Sequence, residues 1–175
     1  MSDDATSSAG STPDPDTERE KWDAYAETVL EFRGPPLVTV DLRAPLTAPT
    51  RRALRSIVGA ERFAIFTAEN PAGRNVEDAG SGAEESRRAE RNEHRRSQLE
   101  GELESLGVPF VAVDGVAPEG DYREHCAAAA MSRDDAIAFA RRYGQLALFW
   151  FDGGRFWVLP GIARRDPRPL PGRSS

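Results

Sequence analysis

The sequence predicts an α+β fold. It reads as a single domain on a mostly antiparallel or mixed sheet, with helices packed mainly on one face. Three observations lead there. Strand and helix patterns interleave without the regular strand–helix–strand alternation that a parallel sheet requires. "QLALFWFDGGRFWVLP" (145–160) is a hairpin in one stretch: an apolar strand, an Asp-Gly-Gly turn and a second apolar strand. The chain of 175 residues, 39% hydrophobic, is long enough for one proper core and short for two.

Taken in order, residues 1–18 are mostly Ser, Asp, Pro, Gly and Thr. They lack the apolar area that would offset ordering entropy, so a disordered acidic tail is expected. The domain is expected over 19–160, followed by a flexible Pro/Arg-rich tail over 161–175. Trp22, Tyr25, Ala26 and Val29 recur at helical spacing, and the pattern turns to strand near Thr28. Leu37–Leu42 alternates as a strand. Residues 47–59 form a helix: Thr47 as N-cap, Pro49 in the first turn, Leu54, Ile57 and Val58 as the stripe, Gly59 as the stop. Phe63, Ala64, Ile65 and Phe66 make a continuous apolar strand over 61–68. A Gly/Asn/Asp loop spans 69–83, and the longest helix runs from Glu84 to Leu106. "PFVAVDG" is a strand, and "EHCAAAAM" is a second whose alanines also suit a helix. Ser132 caps a helix over 133–143, with Asp135 where a capping box has Glu. That helix turns Ala136, Ile137, Phe139, Ala140 and Tyr143 inward, and Gly144 ends it.

Composition removes several function classes. Residues 1–20 hold six acids against Arg19, net −5, so the formal charge of −6 leaves the remainder near −1. A nearly neutral body argues against specific nucleic-acid binding. No apolar run approaches the roughly 20 residues that cross a bilayer. The first twenty residues have neither a basic start nor an apolar stretch, so no secretory signal is expected there. One cysteine, Cys126, precludes an internal disulfide and fits a cytoplasmic location. Lys21 is the one lysine, beside the tail, which disfavours Schiff-base and P-loop chemistry. No phosphate-loop or dinucleotide fingerprint is present, and no cofactor is expected.

The long helix carries the sharpest physical puzzle. Leu99, Leu103 and Leu106 share a face that points to the core. Traced backwards, the same face becomes Arg96, Arg95 and Asn92. Buried guanidinium and amide groups need partners. The strand "RFAIFTAENPAG" ends on Thr67, Glu69 and Asn70, and this polar corner could supply them. Alternatively, the helix outruns the sheet and its first turns are solvated on every side.

"TAENP" (67–71), "NEHRRSQL" (92–99), "GVAPEGDYRE" (115–124) and "YGQLAL" (143–148) together resemble the bacterial domain-of-unknown-function family 3293. The family's pattern resembles T-A-x-N-P, N-x-x-R-x-x-x-L, G-x-x-P-x-G-x-W-x-E-S and F-G-Q-x-A. The match keeps this order over roughly residues 22–160. The chain departs at Tyr122, where the family tends to have Trp. It departs also at Tyr143, where Phe is usual, and at His125, where a small hydroxyl follows the Glu. The loop 72–86 is longer than usual. The resemblance implies a residue set and no reaction: Thr67, Asn70, Asn92, Arg95, Glu124 and Gln145. On that set, Asn92 and Arg95 would hold the anionic part of a small polar or anionic ligand. Thr67 and Asn70 would add hydrogen bonds, Gln145 would orient it, and Glu124 would be the acid or base if chemistry occurs. The competing reading is a buried hydrogen-bond network that fixes loops. A second function class is an interaction module, whose protein partner the sequence does not identify.

Other chemistries find little footing. His94 lies among arginines on a charged helix and is expected in solvent. His125 and Cys126 are neighbours on a strand and point to opposite faces, so they cannot pair with each other. No spacing suits zinc, and no metal site is expected. Glu69 with Glu124 is the one carboxylate pair to consider for acid–base work. Whether the protein is an enzyme is left open. The aromatic residues Phe149, Trp150, Phe151, Phe156 and Trp157 read as core of the hairpin.

Overall fold

The computed structural model describes residues 15–69, 82–120 and 122–172, with side chains from Glu18 onward. Eight strands form one sheet in the order β2-β1-β4-β5-β3-β6-β7-β8, and every pairing is antiparallel. The strands are β1 (Val29–Phe32), β2 (Val38–Asp41), β3 (Phe63–Phe66), β4 (Phe110–Val116), β5 (Arg123–Ala129), β6 (Ala147–Phe151), β7 (Phe156–Pro160) and β8 (Arg168–Leu170). Four helices accompany them: α1 (Pro15–Ala26), α2 (Ala48–Val58), α3 (Gly82–Ser105) and α4 (Arg133–Arg142). The α+β class and the single sheet are as the sequence predicts.

Local chemistry sets the helix ends. The Thr47 hydroxyl accepts from the Thr50 amide at 3.2 Å, and Gly59 closes α2 in the left-handed region at φ 72°. Ser132 accepts from the Asp135 amide at 3.1 Å and donates to Asp135 Oδ2 at 2.6 Å, which opens α4. The "EHCAAAAM" segment is strand, because every alanine from 127 to 129 has a partner on both β3 and β4.

The helices do not favour one face. Trp22 and Ala26 of α1 and Leu54 and Val58 of α2 pack with Phe63, Ile65, Phe149 and Phe151. Leu99 and Leu103 of α3 and Ala136, Phe139 and Ala140 of α4 pack with Ala64, Phe66, Leu148 and Trp150. Alternate residues of β3 and β6 thus enter opposite cores. The continuous apolar runs at 63–66 and 147–151 already demand cover on both sides. Leu106 is 60% exposed, since the chain leaves the helix at Gly107.

The C-terminal stretch also differs from expectation. Within the anticipated tail 161–175, β8 pairs with β7, and Ala163 and Leu170 are buried. Arg165 meets Glu18 at 3.3 Å and Arg168 meets Asp23 at 2.8 Å, which fastens this segment to α1. A proline-rich segment reads as a linker, yet Pro169 is tolerated on an edge strand, where no ladder donor is needed. Of the tail 1–18 expected to be disordered, residues 15–18 open α1 with Glu18 buried, and the rest falls outside the described residues. So does most of the loop 69–83.

Candidate functional site

The polar corner after β3 is held from three directions. The Thr67 hydroxyl donates to the His125 carbonyl on β5 at 2.8 Å and accepts from the Glu69 amide at 3.0 Å. Arg95 Nη1 on α3 reaches the Ala68 carbonyl at 3.5 Å. Gln145 Nε2, between α4 and β6, donates to the Glu69 carbonyl at 2.8 Å. Thr67, Glu69 and Gln145 are all buried. These groups satisfy backbone atoms where the chain turns away from the ladder. Gln145 also explains a glycine. A Cβ on Gly161 would lie 2.2 Å from the Gln145 carbonyl oxygen, so only glycine lets these backbones approach.

On the α3 face of β1, β4 and β5 lies a charged network. Asp114, 3% exposed, faces His125 in register. Its carboxylate accepts from Arg33 Nε and Nη2, both at 2.8 Å, and from Arg123 Nη1 at 2.7 Å. His125 Nδ1 lies 2.7 Å from Asp114 Oδ1, and Arg123 also meets Glu31 at 2.7 Å. Burial pushes the Asp114 carboxyl up, but the hydrogen bonds from Arg33, His125 and Arg123 outweigh it and hold the group below the usual range. Glu69 goes the other way: burial raises it, against the lowering influence of His125.

The first half of α3 overlooks this network. Its inward stripe changes from Leu99 and Leu103 to Arg96 and Asn92 where the sheet below changes from Ala127 and Phe66 to His125 and Arg123. Asn92, Arg96, Arg123, His125 and Glu69 line one cleft of about 410 Å³. Arg33, Arg96, Asp114 and His125 line a second of about 440 Å³. Four guanidiniums, of Arg33, Arg88, Arg96 and Arg123, share these walls with the carboxylates of Glu69, Glu85, Glu93, Glu100 and Asp114. Arg96 is paired with Glu93. Such walls give no net attraction for an anion.

The opposite face of β5 is different. Between the end of α1 and the β4–β5 turn is a cavity of about 430 Å³, lined by Tyr25, Tyr122, Glu124, Cys126, Gln145 and Phe149 among others. Tyr25 packs edge-on to Phe149 at 5.5 Å. Burial, then the charge of Glu124, pushes the Tyr25 phenol up and the Cys126 thiol well up. Burial thus favours the neutral thiol of Cys126.

The expected residue set is thus divided. Glu124 and Gln145 line the cavity on the α1 face. Thr67 and Arg95 brace the bend, Asn92 lines the charged cleft, and Asn70 lies outside the described residues. Arg96, one position on, occupies the cleft that Arg95 was expected to serve. Glu69 and Glu124 line different cavities and form no pair. His125 and Cys126 do point apart, and His94 is exposed. Sequence reasoning missed Asp114, Arg33 and Tyr25. Asp114–His125 had a signal in the alternation of the two strands, whereas Arg33 is 81 positions from its partner. Two departures from the family pattern have partners here: Tyr143 donates to Glu102 Oε2 on α3 at 2.8 Å, and His125 meets Asp114.

Among the described residues, no group of three or more His, Cys, Asp or Glu is arranged to hold a metal ion. None of their helices is long and apolar enough to cross a membrane. Residues 66–148 match the family model described as a protein of unknown function, DUF3293. No curated protein and no solved structure matches the chain.

Proposed function

We propose that this chain, which belongs to the DUF3293 family, binds a small polar ligand in the cavity on the α1 face of β4 and β5. One observation carries the reading. Glu124 stands on the strand face whose later residue, Ala128, enters the apolar core, and there it lines a cavity of about 430 Å³ beside Phe149 and Leu146. A carboxylate and a carboxamide set in mostly apolar walls are the usual composition of a small-molecule site. Gln145 takes part with its side chain tied to the bend, which fixes its position before a ligand arrives. Thr67 supports that bend.

Filling the cavity tests the reading. A Cβ on Gly115 would meet Thr28 Cγ2 at 3.7 Å and Cys126 Sγ at 3.9 Å, ordinary contacts on the cavity wall. Gly115→Leu extends a side chain inward from there. A thermal-shift screen of small polar metabolites should give hits on the wild-type chain that Gly115→Leu loses. At a hundredfold excess over Kd the stabilisation is about 2.7 kcal/mol. A screen without hits, or hits that Gly115→Leu keeps, would overturn the proposal.

A further inference from the structure

We infer that the ligand of this cavity is an organic cation, an ammonium or guanidinium group carried on a flat apolar body. The inference rests on the binding reading above and deepens it. Tyr25, Tyr122 and Phe149 are among the lining residues, and aromatic rings attract cations through their faces. Glu124 supplies a carboxylate on the same wall. Glu27 and Glu119 add two more among the lining residues, against Lys21 and Arg43. The Arg43 guanidinium is already held by Asp41, with Nε to Oδ1 at 2.9 Å and Nη2 to Oδ2 at 2.8 Å. Among the described lining residues, carboxylates thus outnumber cations by three to two. The upward shifts of Tyr25 and Cys126 agree, since Glu124 is the largest charge acting on each after burial. An anion would have to approach Glu124 in a partly desolvated wall, where like charges repel most strongly.

Three ring-matched probes separate the outcomes: tryptamine, a cation at pH 7; tryptophol, neutral; and indole-3-acetate, an anion. Kd would be measured on the full chain by calorimetry or ligand-observed NMR, at probe concentrations on the order of 10 mM where needed. The expected order of affinity is tryptamine, tryptophol, indole-3-acetate, with about tenfold or more between first and last. Glu124→Gln should bring tryptamine to the affinity of tryptophol, and Gly115→Leu should remove the binding of all three. Should Glu124→Gln not fold, the wild-type salt dependence reads the same ion pair. Tryptamine affinity should then fall with added NaCl while tryptophol affinity holds. Equal affinities, or a preference for indole-3-acetate, with sensitivity to Gly115→Leu, would overturn the cation and leave the cavity standing. No binding by any probe, or binding unaffected by Gly115→Leu, would overturn the binding reading and this inference with it.

Discussion

Strand β5 has two sides that handle charge in opposite ways. On the α3 side, Arg123 and His125 join Asp114, Arg33 and Glu31 in a network where a charged group meets its counterpart within hydrogen-bond distance. On the α1 side, Glu124 and Cys126 border a cavity among aromatic rings. The charged side is denser in polar groups, and its groups bond to one another. Both sides hold space of similar volume, but the clefts on the charged side have charged walls, whereas aromatic rings border the cavity on the other. What separates the two sides is therefore neither polar density nor volume but the chemistry of the walls.

The largest expected effect breaks the charged side. Asp114→Ala deletes the common acceptor of Arg33, Arg123 and His125. Removing one partner of a buried ionic network costs about 3–5 kcal/mol, and the half-exposed arginines regain water, so about 2–3 kcal/mol is expected. Chemical denaturation measures it. A loss below about 0.5 kcal/mol would mean the network is mere surface pairing. Ligand response at the cavity should survive in the folded fraction.

Next comes Gly161→Ala, on the cavity side. The new methyl would sit 2.2 Å from the Gln145 carbonyl oxygen, so the backbone must shift. A cost of about 2 kcal/mol is expected, typical of overpacking. Because Gln145 lines the cavity and holds the bend, ligand binding should weaken as well. Retained affinity with lowered stability would show that Gln145 is only a brace.

Much of this arrangement is legible from residue order alone, and the reasons for the remainder are physical. The caps at Thr47 and Ser132 are local chemistry within four residues. The 152–154 turn and the buried β3 run are local too. The placement of His125 opposite Asp114 needs the register of β4 on β5, which no local pattern within either strand sets. Arg33 depends on β1 lying beside β4, a long-range choice that no local pattern encodes. The exchange of Arg95 for Arg96 is a matter of rotation. One position turns a helix by about 100°, and a leucine stripe defines its inward direction no more finely than that. Proline and arginine over 161–172 suggested a linker because composition cannot display the edge strand that accepts them.

The two carboxyls flanking His125 should sharpen the comparison through pH. Asp114 is lowered in the folded state, first raised by burial and then overcome by its three donors. Its contribution is complete above the usual Asp pKa of about 3.9 and is lost as pH falls toward its lower folded value. Glu69 is raised by burial. It favours the folded state when protonated, below the usual Glu pKa of about 4.3, and that advantage is lost as pH rises through its folded value. Asp114→Asn should therefore destabilise at neutral pH by an amount that shrinks in acid. Glu69→Gln should stabilise slightly at neutral pH, by about 1 kcal/mol or less, with the gain vanishing in acid. Urea midpoints of each variant against wild type, taken from pH 3 to pH 7, give both signs. Parallel profiles would show that His125 and its surroundings do not divide the two groups.

Arg95→Ala has the smallest expected effect, and it decides between the two readings of the polar corner. A ligand-holding guanidinium would leave stability nearly unchanged when removed and would take the ligand response with it. A brace would do the reverse. Arg95 Nη1 reaches the Ala68 carbonyl at 3.5 Å, a long contact, and Arg95 borders none of the three cavities described above. A long hydrogen bond from a half-buried cation is worth about 0.5–1 kcal/mol, the lower end of the range for such bonds. The loss should appear as a modest fall in Tm with tryptamine affinity unchanged. Loss of affinity at unchanged Tm would return the ligand to the α3 side, with Asn92 and Arg96 beside it, and the distinction between a charge-walled face and an aromatic-walled one would no longer mark the site.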